Sequence, residues 1–419
     1  MDLGFERRSW TLIYVCLGII EGGTAAVMVR SLFGEATHGM TVDFVLALVS
    51  AAPAWANLVS LAFARKAQGR PKVAFLQPLL VALALLVAAL ALVPAGGTGL
   101  AVFLVLYCLA RLLWAGIDTV RSVIWSVNYA RPERASITGR IMVNGAIALA
   151  VVGLLLGWLL EQDGPWFRVA IVAAAVCGLA GARAFRRFRV LGEDDLLAAE
   201  RARLEEGARF DLAGVRHLLA TDADFRHYML AMSLFGAGFL TLTPLMVICL
   251  DDVLRAPELV QVAITTAVPV LTIPLAIRPW ARFLDRHHVI VFRSVHSKVG
   301  VAGTFLLVLG VLAHLPFLLW PGALLLGISL AAGSLGWTLG HNDFAPRGEE
   351  TRYMALHVTL TGIRGLLAPP VGIALYHALE AWRPGAGAWS LLLPLVLVGA
   401  GSREFSAMRR LRESRSGKA

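Results

Sequence analysis

Apolar stretches of about twenty residues, parted by short basic loops, recur from end to end of this chain. Few patterns restrict a fold more. At about 1.5 Å per residue, each stretch makes a helix able to cross a hydrocarbon layer of about 30 Å. Lipid offers no hydrogen bonds, so the backbone must satisfy itself, and helices do this within one segment. Of the 419 residues, 58% are hydrophobic and 16% charged, and the mean hydropathy is +0.72. That balance excludes a disordered chain and a soluble enzyme. The expected fold class is an all-α polytopic membrane protein with about twelve spans.

The spans are expected at 10–32, 43–64, 73–94, 100–126, 141–160, 166–184, 227–250, 258–277, 289–312, 315–339, 353–379 and 388–402. Of 38 Lys and Arg, 31 fall in the termini and alternate loops, against four in or beside the others: Arg30, Arg168, Arg255 and Arg383. The positive-inside rule then puts both termini in the cytosol. The formal charge of +10 is thus a topology signal rather than a nucleic-acid footprint. Arg7-Arg8 reads as a cytosolic flank, since Glu21 interrupts the first apolar run and no cleavage pattern follows. Cys16, Cys108, Cys177 and Cys249 all lie inside apolar segments and read as packing residues. With no phosphate loop and no metal-ligand spacing, neither cofactor nor metal is expected.

The chain divides into a six-span half (1–184), a polar linker (185–225), a second six-span half (226–402) and a basic cytosolic tail (403–419). Within the linker, Asp211 can cap a short surface helix whose Leu212, Val215, Leu218 and Leu219 share one face. An internal repeat supports the division. Asn128 precedes Pro132 by four residues, and Arg140-Ile-Met142 follows. Asn342 precedes Pro346 by four, and Arg352-Tyr-Met354 follows.

Twelve spans in two parallel halves, a long middle loop and internal termini resemble the major facilitator superfamily. The family's loop between spans 2 and 3 reads Gly-x-x-x-Asp-Arg-x-Gly-Arg-Arg/Lys. Here Arg65-Lys66-Ala67-Gln68-Gly69-Arg70-Pro71-Lys72 keeps the glycine and the basic end, with Lys66 where the aspartate belongs. The matching loop of the second half, Ala281-Arg-Phe-Leu-Asp285-Arg286-His287-His288, keeps Asp-Arg and loses the glycines. The resemblance therefore implies gating roles for Gly69, Arg70, Asp285 and Arg286. Span 4 carries Arg111-Leu-Leu-Trp114-Ala-Gly116, similar to the family's Arg followed by Gln and Gly, with Trp114 in the polar position. In proton-coupled members that arginine is linked to substrate binding and coupling. The exporters' Gly-Pro motif of span 5 is absent, and a related Gly365-Leu-Leu-Ala-Pro369-Pro370 string stands in span 11.

Ionisable residues at the bilayer midplane are costly and mark a partner or a task. Glu21, Arg111 and Arg364 all fall near mid-span. Arg111 lies about 16 Å below one end of its helix. Glu21 and Arg111 read either as an ion pair locking spans 1 and 4 or as a substrate and proton site. Burial favours the neutral carboxyl and a neighbouring guanidinium favours the carboxylate, so relative movement of the two would switch a proton. Gly362 and Gly365 flank Arg364 and would let a ligand approach. Arg111, Trp114, Asp118 and Arg121 form one helical stripe, with Asp118 and Arg121 as a salt bridge or part of a cytosolic gate.

Weaker signals have plainer readings. His357 suits a core position, and His341-Asn-Asp343 a helix end. Arg30 would snorkel to the surface. Trp10, Trp158, Trp166, Trp320, Trp382 and Trp389 suit an interfacial belt. Thr241 and Thr243 would satisfy the carbonyl freed by Pro244.

The leading function is a secondary transporter of a small organic solute bearing an anionic group, proton-coupled and working by alternating access. The alternatives are a proton-coupled exporter of lipophilic or cationic compounds and a non-transporting membrane scaffold or sensor. Expected partners are the solute and the lipid bilayer, with no nucleic acid, and the protein as a monomer. Arg outnumbers Lys by 34 to 4, which points to a GC-rich bacterium and its inner membrane.

Overall fold

The computed structural model describes residues 3–34, 39–94, 96–129, 131–162, 164–205, 218, 220–345 and 350–416. Among these, eleven helices are long and apolar enough to cross a membrane, and a bent pair makes twelve. In order they are Gly4–Phe33, Gly39–Ser50 with Ala52–Val59, Lys72–Leu90, Gly97–Asn128, Ile137–Leu160, Trp166–Phe185, Ala223–Asp252, Glu258–Arg286, Val289–Leu312, Pro316–Trp337, Leu356–Trp382 and Gly387–Arg415, here spans 1 to 12. The expected spans match these one for one. Span 12 differs most: its helix runs on to Ser416, through much of the basic stretch expected as tail. The expected surface helix after Asp211 lies outside the described residues, save Leu218, as do Pro346 and the side chains of Pro132, Asn342 and Arg352 in the repeat.

Two spans are interrupted at mid-depth. Span 1 is one helix over Leu3–Ile19 and another over Gly22–Phe33, with Glu21 extended between them (φ −66°, ψ 136°). Span 2 bends by 50° between Ser50 and Ala52. Pro53 opens its second piece, where a missing N–H costs nothing. The two breaks touch: a Cβ on Gly22 would lie 2.5 Å from the Ser50 carbonyl oxygen, so only glycine admits this approach. Breaks expose backbone carbonyls that lipid cannot satisfy. Tyr107 of span 4, itself fully buried, places its hydroxyl 3.1 Å from Ile20 O and 2.8 Å from Val49 O and shares its proton between them. Span 8 also departs from the α-helix, with a π-turn at Ala263–Ala267 that packs against Gly23 of span 1.

The halves meet through spans 2 and 11, 5 and 8, and the Gly22–Phe33 helix against span 7. Gly365 seats against Ala54 and Trp55, and Gly362 against Leu58. The room beside Arg364 that these glycines were expected to leave for a ligand is thus filled by span 2. Of the tryptophans expected in an interfacial belt, Trp158, Trp166, Trp320, Trp382 and Trp389 are exposed, but Trp10 is fully buried. The Thr241 hydroxyl, near Pro244 in sequence, has no partner among the described residues, so it does not serve the freed carbonyl.

Candidate functional site

Glu21 owes its position to the break in span 1, which turns it out of the helix ladder toward span 4. Arg111 lies beside it, with Nη1 3.8 Å from Glu21 Oε2 and donating to Ile20 O at 3.4 Å. The arginine side chain is 5% exposed and the glutamate 25%. The Arg111 Nε has no partner among the described residues. The pair is therefore close but loose, its carboxylate still touching solvent-accessible space. Arg364, expected at the same depth, joins neither group. Its Nη1 donates to Met232 O of span 7 at 2.5 Å and its Nη2 to Thr361 Oγ1 at 3.1 Å.

One turn beyond Arg111, Trp114 belongs to a different construction. Arg121 is 5% exposed and sits in a cage of rings, its Cζ 4.4 Å from the Trp125 centroid, 4.9 Å from Trp10, 5.4 Å from Trp114 and 5.6 Å from Tyr14. It donates to Tyr14 Oη at 2.7 Å and to Asp118 one turn earlier. Behind the rings lies Glu6, 1% exposed, accepting from Trp125 Nε1 at 2.9 Å, Trp10 Nε1 at 3.3 Å and the Tyr129 hydroxyl. Buried charge is tolerable here because rings and hydrogen bonds replace water. Trp10 is thus a cage wall and not a belt residue. Glu6 had no hydropathic signal because it precedes the expected span.

The loop between spans 2 and 3 meets the linker. Residues Glu193–Glu205 form a helix whose Glu200 accepts from Gly69 N at 2.8 Å and from Lys72 Nζ at 2.5 Å. Glu193 accepts from Lys72 N at 2.8 Å, and Arg201 donates to Gly69 O at 3.3 Å. Lys72 is 1% exposed and also donates to Ala67 O. The carboxylate that Lys66 displaced from this loop is supplied instead by the linker, 128 residues away. Asn128 secures the same region, donating to Arg189 O at 3.1 Å and accepting from Leu191 N at 2.8 Å. Arg70, Asp285 and Arg286 are exposed.

At the face opposite the basic loops, a second ion cluster went unforeseen. Arg30, 14% exposed, donates to Asp43 of span 2 at 2.7 Å, to Asp251 of span 7 at 2.8 Å, and to Asp252. His377 of span 11 lies 3.0 Å from Asp43, and Tyr376 donates to Asp252 at 2.7 Å. Arg30 therefore does not snorkel; it ties the two halves together. Its partners lie up to 222 residues away, beyond any pattern along the chain.

The family model for the major facilitator superfamily matches residues 10–369. The chain belongs to the major facilitator superfamily. It is a transporter of that superfamily in fold and in sequence. Solved structures overlay it along nearly its whole length. A D-xylose-proton symporter has a TM-score of 0.71 at 11% identity, covering 95% of this chain and 96% of that one. The nucleoside transporter NupG gives 0.69 at 10%, covering 97% and 100%. A bacterial homolog of the human lysosomal transporter Spinster, inward-facing and occupied, gives 0.68 at 12%, covering 97% and 96%. No curated protein matches the sequence. Within this superfamily member, the Glu21–Arg111 pair and the Arg121 cage lie in the first half, the Lys72–Glu200 contact joins that half to the linker, and the Arg30 cluster joins it to the second half.

Proposed function

We propose that this chain is a proton-coupled secondary transporter of a small solute bearing an anionic group. The observation that carries this reading is Glu21 standing in a helix break, 3.8 Å from Arg111 and partly open to solvent. A carboxylate held by hydrogen bonds on every oxygen would be architecture. Among the described residues this one keeps a single, long ion-pair contact, which leaves it free to act as the coupling carboxylate as Arg111 moves. Interrupted spans at mid-depth are where membrane transporters place their ligands and coupling ions. Glu21 balances Arg111, which leaves Arg364 as the charge available to an anionic solute.

The 31-to-4 bias of basic residues supports a cytosolic basic face and cytosolic termini. On that assignment the Arg30 cluster closes the outer face, and solute enters or leaves from the cytosol in this conformation. Asp118 and Arg121, with Gly69 and Arg70 on the linker-bound loop and Asp285 and Arg286 on its counterpart, stand on the face that must close in turn. The test is reconstitution in proteoliposomes with a solute selected by thermal shift. Glu21→Gln should abolish uptake driven by a pH gradient while solute exchange without a gradient persists. Full gradient-driven uptake by Glu21→Gln would exclude the carboxylate as the proton carrier.

A further inference from the structure

The second half buries positive charge that no described carboxylate neutralises. Every other deeply buried cation named above has one: Arg30 has three, Lys72 has Glu200, Arg111 has Glu21 and Arg121 has Asp118. Arg293 of span 9 is 2% exposed. Its Nε donates to Tyr228 Oη at 3.3 Å and its Nη1 to His296 Nε2 at 3.5 Å, while Nη2 has no partner among the described residues. The Nε of Arg364 is likewise unbonded. No acidic side chain among the described residues forms an ion pair with either guanidinium.

The two arginines are neighbours. Arg293 bonds to Tyr228 and Arg364 to Met232, both on span 7. Those two residues stand one turn apart, about 6 Å along the helix axis. The Arg364 guanidinium lies against Gly236 and that of Arg293 against Gly336 of span 10. His357 of span 11 is fully buried within Coulombic reach of both arginines, and neither of its ring nitrogens has a partner among the described residues. Burying a charge without a partner is costly, and burying two of the same sign close together is costlier still. An unbonded imidazole beside them adds an unmet donor. Arg364 is partly buried as a residue, while its Nε, Arg293 Nη2 and both His357 ring nitrogens are covered, so an oxyanion reaches them when the packed spans part. Gly333 borders open space on the same face of span 10 as Trp337. The Trp337 ring stands edge-on to His357 at 5.6 Å.

We propose that Arg293, Arg364 and His357 form the receptor for a dianionic, phosphate-type oxyanion carried by the transported solute. Two fixed positive charges match two negative ones. The free donors, Arg293 Nη2, Arg364 Nε and a ring N–H of His357, come from two spans. They suit a tetrahedral group with several acceptor oxygens better than a single planar carboxylate, which one arginine would grip with two parallel bonds. This deepens the transport reading and rests on it for the word solute; the binding claim stands by itself.

The experiment uses the purified full-length protein in detergent, with inorganic phosphate as probe and acetate and chloride at matched ionic strength as controls. Phosphate should raise the melting temperature in a saturable manner, and acetate and chloride should not. Arg364→Gln and Arg293→Gln should each weaken phosphate binding at least tenfold. If either variant does not fold, the wild type answers alone. Phosphate should then protect Arg364 from arginine-selective modification by phenylglyoxal, read by mass spectrometry, while exposed Arg403 stays reactive. Absence of phosphate stabilisation, equal stabilisation by acetate, or a response unchanged in the arginine variants would overturn the proposal. Phosphate binding in a protein with no measurable flux would sink the transport reading and leave this site standing. Transport of a solute whose binding ignores both arginines would do the reverse.

Discussion

Replacing Arg30 with glutamine separates two effects that the structure assigns to different contacts. Arg30 to Asp43 is a contact within the first half, at 2.7 Å, with Asp43 only 2% exposed. Its gross Coulomb energy at an effective dielectric constant of about 20 is roughly 6 kcal/mol, and losing one partner of a buried pair costs about 3–5 kcal/mol. That loss applies in every conformation. Asp251 and Asp252, 41% and 35% exposed, belong to the second half. Screening reduces each to about 0.5–1 kcal/mol, despite separations that would suggest far more in a dry site. Of the Arg30 contacts, only these two join the halves and favour closure of this face, by about 1–2 kcal/mol together, or roughly tenfold in the open-to-closed ratio. Cys249 is the native reporter: fully buried in span 7, near Arg30, Asp43 and Asp252. With Cys16, Cys108 and Cys177 replaced by serine, a membrane-impermeant maleimide is applied from the Arg30 side. Arg30→Gln should lower the melting temperature and raise Cys249 labelling about tenfold, the ratio derived above. Asp251→Asn with Asp252→Asn should raise labelling to a similar extent with little change in melting temperature. Unchanged labelling in both variants would refute the claim that these ion pairs hold the face shut.

Three further outcomes follow from single contacts. Glu200→Ala strands the buried Lys72 ammonium with Ala67 O alone. It should cost about 3 kcal/mol, read by thermal unfolding in detergent; an unchanged melting temperature would mean the linker helix is dispensable. Arg121→Lys keeps the charge but loses the guanidinium held over the Trp10 and Trp125 rings. A loss of about 2 kcal/mol in thermal unfolding and a shift in tryptophan fluorescence are expected. Tyr107→Phe leaves the Val49 carbonyl without its side-chain donor and the Ile20 carbonyl with only the long contact to Arg111. The cost is about 1–3 kcal/mol each, and hydrogen exchange should quicken at both helix breaks while span 6 stays protected.

Hydropathy is summed over about twenty neighbours along the chain, which is why all twelve spans and the basic-loop asymmetry were legible in the sequence alone. Depth is equally local, so Glu21 and Arg111 could be placed at one level before any contact was known. Their partnership also needed the break at Glu21, and no residue there announces a break: Gly22 and Gly23 permit one without requiring it. Charge pairing depends on the azimuth of each helix and on which helix stands opposite, and neither is a property of a local window. So Arg30 read as a snorkelling residue until packing brought Asp251 and Asp252 to it, and Trp10 as a belt residue until span 4 presented Arg121. Arg293 is the instructive miss. It stands inside the expected span 289–312, close to the basic loop before it, and composition cannot tell a charge at a helix end in water from one turned inward. The linker shows the same division. Its polarity was evident, but its docking on Gly69 and Lys72 was decided by the tertiary fold, which set a helix bearing Glu193 and Glu200 against a loop that had lost its own aspartate.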